Sequence, residues 1–347
     1  MIYNNLLKTE FEFIKDNFID IDLLKSSRIL ITGANGLIGS YLVYFLDYLN
    51  REYDASIEIY AMSRSKQRLE STFEGLKINI IEQDLNLPIE TDLDVDYVIH
   101  AASNAHPLAY SQDPVGTMKT NILGTMNLLD NLKSKLTKFI YISSGEIYGN
   151  NIDHSFTEDD CGIIDTKQAR SCYPESKRAT ETLCTAYNAQ FGTGINIARL
   201  CYVYGPTITN SNSRADAQFL RNALDGKDIV MKSKGEQRRT YCYVADAVSA
   251  ILTILLKGKS PEVYNVANPN SIVSIAEYAQ TLADIGNVAL RFELPSEVEA
   301  KGYSKAANSI LDSSKLMNLG WFAKYSIKDG LEHTFNIKKE MEYEVVN

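Results

Sequence analysis

Tyr173 and Lys177 stand four residues apart in a segment with helical patterning, so both side chains fall on one face. A free tyrosine titrates near ~10 and is a poor base at neutral pH. A neighbouring ammonium and a cationic nicotinamide ring favour its phenolate. Such a phenol can take the proton of an alcohol while hydride leaves the same carbon. Upstream, Ser144 follows an apolar strand in the loop SSGEIYG (143–149) and can hold the same hydroxyl. Further upstream, Gly33-Ala34-Asn35-Gly36-Leu37-Ile38-Gly39 joins a strand to a helix. Glycines there let the backbone turn tightly against a pyrophosphate, and the helix N-terminus offers free N–H groups. The chain has 21 tyrosines, and a helical Tyr is an ordinary packing residue, so the pair alone says little. The order glycine turn, serine loop, Tyr/Lys helix carries the reading: alcohol–ketone redox chemistry on a bound dinucleotide.

Other residues bear on cofactor and substrate. The second strand ends in Ser63-Arg64, where a carboxylate would bond a ribose 2′-OH and repel a 2′-phosphate. Arginine does the reverse, which leans toward NADP; Arg64 has stacking on adenine or a place in solvent as its other uses. Glu146, in the serine loop, can move a second proton or can cap a turn. Arg199, Arg214, Arg238 and Arg239 are candidates for a diphosphate, because a planar guanidinium can bond two phosphate oxygens. Each is also readable as a surface ion-pair residue.

These residues need a frame. Short apolar runs at 28–32, 57–63, 77–81, 96–102, 138–144 and 195–200 alternate with helical patterns at 37–50, 114–134 and 173–191. Such alternation predicts a doubly wound parallel sheet, Rossmann-like, with helices on both faces. Beyond Leu200 the rhythm weakens: strands are expected at 239–244 and 262–267, and helices at 213–225, 245–257, 274–284 and 326–340. The expected organisation is an N-terminal helical arm (1–25), a dinucleotide-binding α/β domain (26–200, with returns near 239–267) and a mainly substrate-binding lobe (201–347). The arm sets Ile2, Leu6, Phe13 and Ile14 among charged residues and reads as a packing helix, since it lacks the basic face of a membrane anchor.

The totals set outer bounds. With 347 residues, the chain suits one large α/β domain and a smaller lobe. A formal net charge of −9 argues against nucleic-acid binding. Five dispersed cysteines and four histidines (His100, His106, His154, His333) form no metal-ligand spacing, so no metal is expected, and the thiols read as reduced ones in a cytoplasmic protein. No signal-peptide pattern and no stretch of roughly 20 apolar residues is seen, so no membrane partner is expected.

As a set, TGANGLIG (32–39), HAAS (100–103), Asn121 in KTNILGT, SSGEIYG, YPESK (173–177), ARLCYVYGP (198–206), RRTYCYVADAV (238–248) and DSSKLMNLGW (312–321) resemble the extended short-chain dehydrogenases/reductases, the nucleotide-sugar epimerases, dehydratases and decarboxylases. The resemblance runs from about 28 to about 330. It implies Ser144, Tyr173 and Lys177 as catalytic triad, with Asn121 supporting the site. It places Asp84 and Leu85 near the adenine and Ala101, Ala102 and Ser103 along an NAD-type cofactor. Arg214 and Arg239 match its diphosphate positions best, and Tyr202 stands where the family's ARxFN segment carries Asn. It implies oxidation of a nucleotide-diphosphate sugar at C4, followed by elimination or decarboxylation and re-reduction, with 4-epimerisation as the alternative. Glu146 is similar to a residue of dehydratases and glucuronate decarboxylases, whereas Gly145 departs from the dehydratases' Asp. RSCYPESKRATETL (170–183) looks most like the decarboxylase helix. Members often form homodimers through helices matching 114–134 and 173–191. A non-catalytic NAD(P)-binding sensor is the reading from another class, and Tyr173 and Lys177, which such proteins often lose, are both present.

Overall fold

The inner strands of the large sheet are apolar on two sides because helices cover both faces, whereas the edge strand over 79–82 is half-exposed. The computed structural model of the protein describes residues 3–90, 92–132, 136–149, 154–293 and 308–346. The strands are β1 (Arg28–Thr32), β2 (Glu58–Ser63), β3 (Asn79–Glu82), β4 (Tyr97–His100), β5 (Lys138–Ser144), β6 (Ile195–Leu200), β7 (Tyr202–Tyr204), β8 (Ile229–Met231), β9 (Arg238–Tyr243), β10 (Glu262–Val266), β11 (Ile272–Ser274) and β12 (Leu290–Phe292). Seven of them form an all-parallel sheet in the order β10-β6-β5-β4-β1-β2-β3. Two small sheets, β11-β9-β7 and β12-β8, lie outside it.

The helices are α1 (Asn5–Phe18), α2 (Leu37–Tyr53), α3 (Lys66–Thr72), α4 (Pro107–Gln112), α5 (Pro114–Leu132), α6 (Cys172–Phe191), α7 (Ala215–Leu224), α8 (Val244–Lys257), α9 (Ile275–Gly286), α10 (Ser314–Met317) and α11 (Ile327–Val346). Alternation along β1 divides the core between two layers. Ile29 and Ile31 join the α1, α2 and α8 side chains, whereas Leu30 joins Leu128, Leu129 and Leu132 of α5 and Cys184 and Tyr187 of α6. Left-handed residues end two site-bearing helices: Asp54 (φ 50°) after α2 and Gly192 (φ 68°) after α6.

The element reading differs from the structure in specific places. The strand expected at 96–102 stops at His100, because Ala101 and Ala102 turn out over the end of β1. Of the two segments expected to return near 239–267, only β10 joins the large sheet, beside β6, while β9 pairs with β7 and β11. Short elements such as α3, α4, β7, β8, β11, β12 and α10 have too few residues to show a period. Ile2 and positions 133–134 of the expected 114–134 helix lie outside the described residues.

Among the described residues no helix is long and apolar enough to cross a membrane. The apolar stripe of α1 is a packing surface: Leu7, Phe11, Ile14 and Phe18 are buried, and α1 lies against α8. Glu10, fully buried on the same helix, accepts hydrogen bonds from the hydroxyls of Tyr41 (2.5 Å) and Tyr243 (2.7 Å) and pairs with His333 Nδ1 (2.6 Å). One carboxylate therefore ties α1 to α2, β9 and α11. Glu10→Ala strands these buried groups and is expected to lower stability by about 3 kcal/mol, measured by urea titration. A loss below about 1 kcal/mol would mean that the hydroxyls find other partners.

Candidate active site

The chain order of the sheet reverses between β1 and β4, and the strand ends there splay to leave a crevice. Gly33 turns the chain at φ +66°, and a Cβ on it would lie 2.8 Å from Ala102 Cα. A Cβ on Gly39 would lie 2.4 Å from Gly33 O, so α2 can start where it does only with glycine there. Gly36 is the N-cap of α2 and supplies no side-chain bond to the first turn, which leaves backbone N–H groups facing the crevice. A glycine cradle opening on an uncapped helix of 17 residues fits a dinucleotide diphosphate.

Two adjoining cavities occupy the crevice and share Gly33, Gly36, Ala101 and Ser103. Asn35, Ser63, Arg64, Asp84, Leu85 and Ala102 line the first. Leu37, Ile38, Gly39, Ser144, Tyr173, Lys177 and Arg214 line the second. Asn121 lies beneath them and lines neither. Its Oδ1 accepts from Ser103 Oγ and its Nδ2 donates to Ser176 Oγ, both at 2.8 Å, so it joins the loop after β4 to α6. His100 is a buried post on the same floor, held by Thr32 Oγ1 (2.6 Å) and Thr125 Oγ1 (2.9 Å). Burial, helped by the charge of Lys177, pushes its pKa down to about 3 and keeps it neutral.

Ser144 comes from the end of β5, and Tyr173 and Lys177 from the first turns of α6. Lys177 is 2% exposed; its Nζ donates to Ile142 O at 2.7 Å and lies 6.0 Å from the centroid of the Tyr173 ring. Burial pushes the lysine down to about 7. It also pushes Tyr173 up to about 12, with the charge of Glu146 adding to the rise and Ser144, Arg214 and Arg170 opposing it. This is the reverse of the lowered tyrosine expected from the Tyr173/Lys177 pairing: desolvation of the buried phenol outweighs the nearby positive charges.

A third cavity opens beyond Tyr173, against β7 and β9 of the smaller sheet. Glu146, Arg170, Tyr202, Arg214, Asp216 and Arg239 line it. The Arg239 guanidinium lies 4.3 Å from the Tyr202 ring centroid and that of Arg214 5.9 Å. Glu146 Oε2 accepts from Arg170 at 2.6 Å. Arg170 also lies 4.4 Å from the Tyr110 ring, which stacks on Tyr173 with centroids 5.4 Å apart.

The comparisons with known proteins agree with this geometry. The model of the NAD dependent epimerase/dehydratase family matches residues 29–267. The chain belongs to that family. It is 32% identical over 309 residues to UDP-glucuronic acid decarboxylase 6 of Arabidopsis thaliana, covering 88% of this chain and 86% of that one. Among solved structures it is similar to a UDP-glucose 4-epimerase of Thermotoga maritima with UDP-glucose (TM-score 0.77, 25% identity, 91% and 99% of the two chains). It is likewise similar to a UDP-glucuronic acid 4-epimerase of Bacillus cereus in complex with UDP-glucuronic acid and NAD (TM-score 0.75, 25% identity, 90% and 99%).

Two arginines expected to reach a diphosphate in this epimerase/dehydratase family member stand elsewhere. Arg199 is buried and bonds both Glu181 oxygens, the Tyr148 hydroxyl and Glu158 O, so it ties β6 to α6 and the serine loop. Arg238 turns outward to Ile272 O and Glu277. The site also holds Arg170, Tyr110 and Asp216, which the sequence patterning does not single out; Asp216 Oδ2 is buried in the third cavity and has no hydrogen-bond partner among the described residues. Their signal was position: Arg170 precedes Tyr173 by three residues, and Asp216 follows Arg214 by two.

The buried lysine has a measurable consequence. The unfolded chain holds Lys177 charged up to 10.5 and the folded one only up to about 7. Its burden on stability is therefore complete below pH 7 and fades as the pH rises through that window. In the cofactor-free protein, Lys177→Met is expected to raise stability at pH 7 by on the order of 1–3 kcal/mol, with the gain shrinking toward pH 10 in urea titrations. A variant less stable than wild type at pH 7 would show that the bond to Ile142 O outweighs the burial.

Proposed function

We propose that the protein acts on a UDP-linked hexuronic acid: C4 is oxidised, the 4-keto acid loses CO₂, and C4 is reduced again. The observation that carries this reading is the third guanidinium of the outer cavity. Arg214 and Arg239 suffice for a diphosphate, and Arg170 adds a cation next to the Glu146 carboxylate on the Tyr173 side of the cavity. A neutral sugar has no use for that charge; a uronate carboxylate entering beside Glu146 does. The likeness to UDP-glucuronic acid decarboxylase 6 supports the same substrate.

In this reading Tyr173 takes the C4 hydroxyl proton, Ser144 holds the C4 oxygen, and Lys177 supplies positive charge below the phenol. A nicotinamide dinucleotide bound in the first two cavities would supply the hydride acceptor for the oxidation and the hydride donor for the reduction. Arg170 orients the carboxylate, which leaves as CO₂ once C4 is a ketone, and Glu146 passes one proton to C5. Asn121 positions Ser103 and α6 without touching substrate. Dehydration is disfavoured because Leu311 methyls, 3.0 Å from a Cβ built on Gly145, fill the space of the acid that the dehydratases carry there. The reading includes a cytoplasmic homodimer, supported by five free cysteines and by the exposed Val115, Met118 and Leu123 on α5.

Turnover of UDP-glucuronic acid should yield a product lighter by CO₂ with no stoichiometric accumulation of reduced cofactor, read by mass analysis and absorbance together. Tyr173→Phe should lower the rate by about 10²–10⁴-fold while the fold survives. Glu146→Gln should keep hydride transfer, seen as transient reduced-nicotinamide absorbance, and lose most product formation, because Gln cannot relay a proton. An isobaric product made equally fast by Glu146→Gln would establish 4-epimerisation instead. Absence of turnover with tight dinucleotide binding would favour the sensor.

A further inference from the structure

The crevice at the end of β2 carries chemistry that C4 oxidation does not use. We infer that Ser63, Arg64, Ser65 and Arg68 form a site for the 2′-phosphate of an adenine ribose, so that the protein selects NADP over NAD. The inference rests on the reading of the first cavity as a dinucleotide cradle and on no assumption about the sugar.

β2 runs parallel to β1 and ends level with the glycine turn: Thr32 stands opposite Met62, and Ala34 N donates to Met62 O at 3.2 Å. The segment that follows β2 therefore emerges beside the cradle. All four residues line the same cavity as Gly33, Gly36 and Ala102. The position after Met62, where a carboxylate would bond a 2′-OH and turn a 2′-phosphate away, is Ser63. Arg64 and Arg68 are exposed, and neither guanidinium has a hydrogen bond or ion pair among the described residues. Their turn is shaped locally, with Ser65 N donating to Ser63 Oγ and Arg68 N to Ser65 Oγ, both at 3.3 Å. These are long bonds that a phosphate oxygen can replace.

Carboxylates nearby have other positions. Glu82, opposite Ser63 on β3, accepts from Lys66 N and does not line the cavity. Asp84 does line it, and its Oδ1 accepts from Asn86 N. The part of the cavity nearest Ser63 thus offers two unpaired guanidinium forks and two hydroxyls, an arrangement suited to a dianion and wasted on a neutral ribose diol.

The test is equilibrium binding to the full chain by titration calorimetry, with NADP⁺, NAD⁺, 2′,5′-ADP and 5′-ADP as probes. NADP⁺ is expected to bind at least tenfold more tightly than NAD⁺, and 2′,5′-ADP more tightly than 5′-ADP. The double variant Arg64→Ala/Arg68→Ala is expected to lose that preference, with NAD⁺ affinity changed less than threefold. The preference should also weaken with added salt, as a charge-dominated contact does. NAD⁺ binding as tightly as NADP⁺, or a double variant that weakens both equally, overturns the inference. The sugar reading fails separately, by the absence of turnover of UDP-glucuronic acid with either cofactor.

Discussion

The close approach of β1 to the loop after β4 is the constraint on which the rest of the site depends. Gly33 lies so near Ala102 that a single methyl group would part them. Because the two strand ends meet there, the chain can leave β1 toward α2 and leave β4 toward α5, and the crevice opens between those exits. The uncapped start of α2 looks into it, and the tip of β2 borders it on one side. Ser144, at the end of β5, borders the other. A larger residue at 33 would alter every one of these relations together, because both neighbours are backbone.

Around that opening the protein buries charge with compensation in some places and without it in others. Arg199 and Glu181 form a buried pair that also receives Ser143 and Tyr148, and this seam holds the serine loop against α6. Lys177, one turn of α6 away from Glu181, makes its hydrogen bond to a carbonyl oxygen and lies over the Tyr141 ring, with no carboxylate in direct contact among the described residues. The contrast divides roles physically. A satisfied ion pair holds geometry, whereas a poorly solvated lysine near neutrality stands ready for an added charge in the crevice. The high pKa of Tyr173 has the same origin, burial, to which the charge of Glu146 adds.

The outer cavity follows a different rule. Its arginines lie across Tyr202 or against Glu146 and Tyr110, so aromatic faces and one carboxylate hold them apart. Spaced cations of this kind suit a ligand with separated anionic groups, such as a diphosphate at one end and a carboxylate at the other. Asp216, with an acceptor oxygen buried and unpartnered among the described residues, adds a hydrogen-bond position to the same cavity.

Much of this was legible in the chain itself. Apolar runs of four to seven residues between helical patterns determined the parallel sheet, because a strand buried on both faces has no polar alternation to show. The glycine turn and the order Ser144, Tyr173, Lys177 were legible as a candidate site, because a strand end and two helix positions four apart are local relations. Only the tertiary structure decided which arginine does what. Arg199 is directed to Glu181 and Arg238 to Glu277, while Arg170 joins the outer cavity and Arg68 stands beside Arg64 in the first. A guanidinium takes the nearest carboxylate in space, and that partner can lie on any element of the chain, so spacing along the sequence carries no record of it.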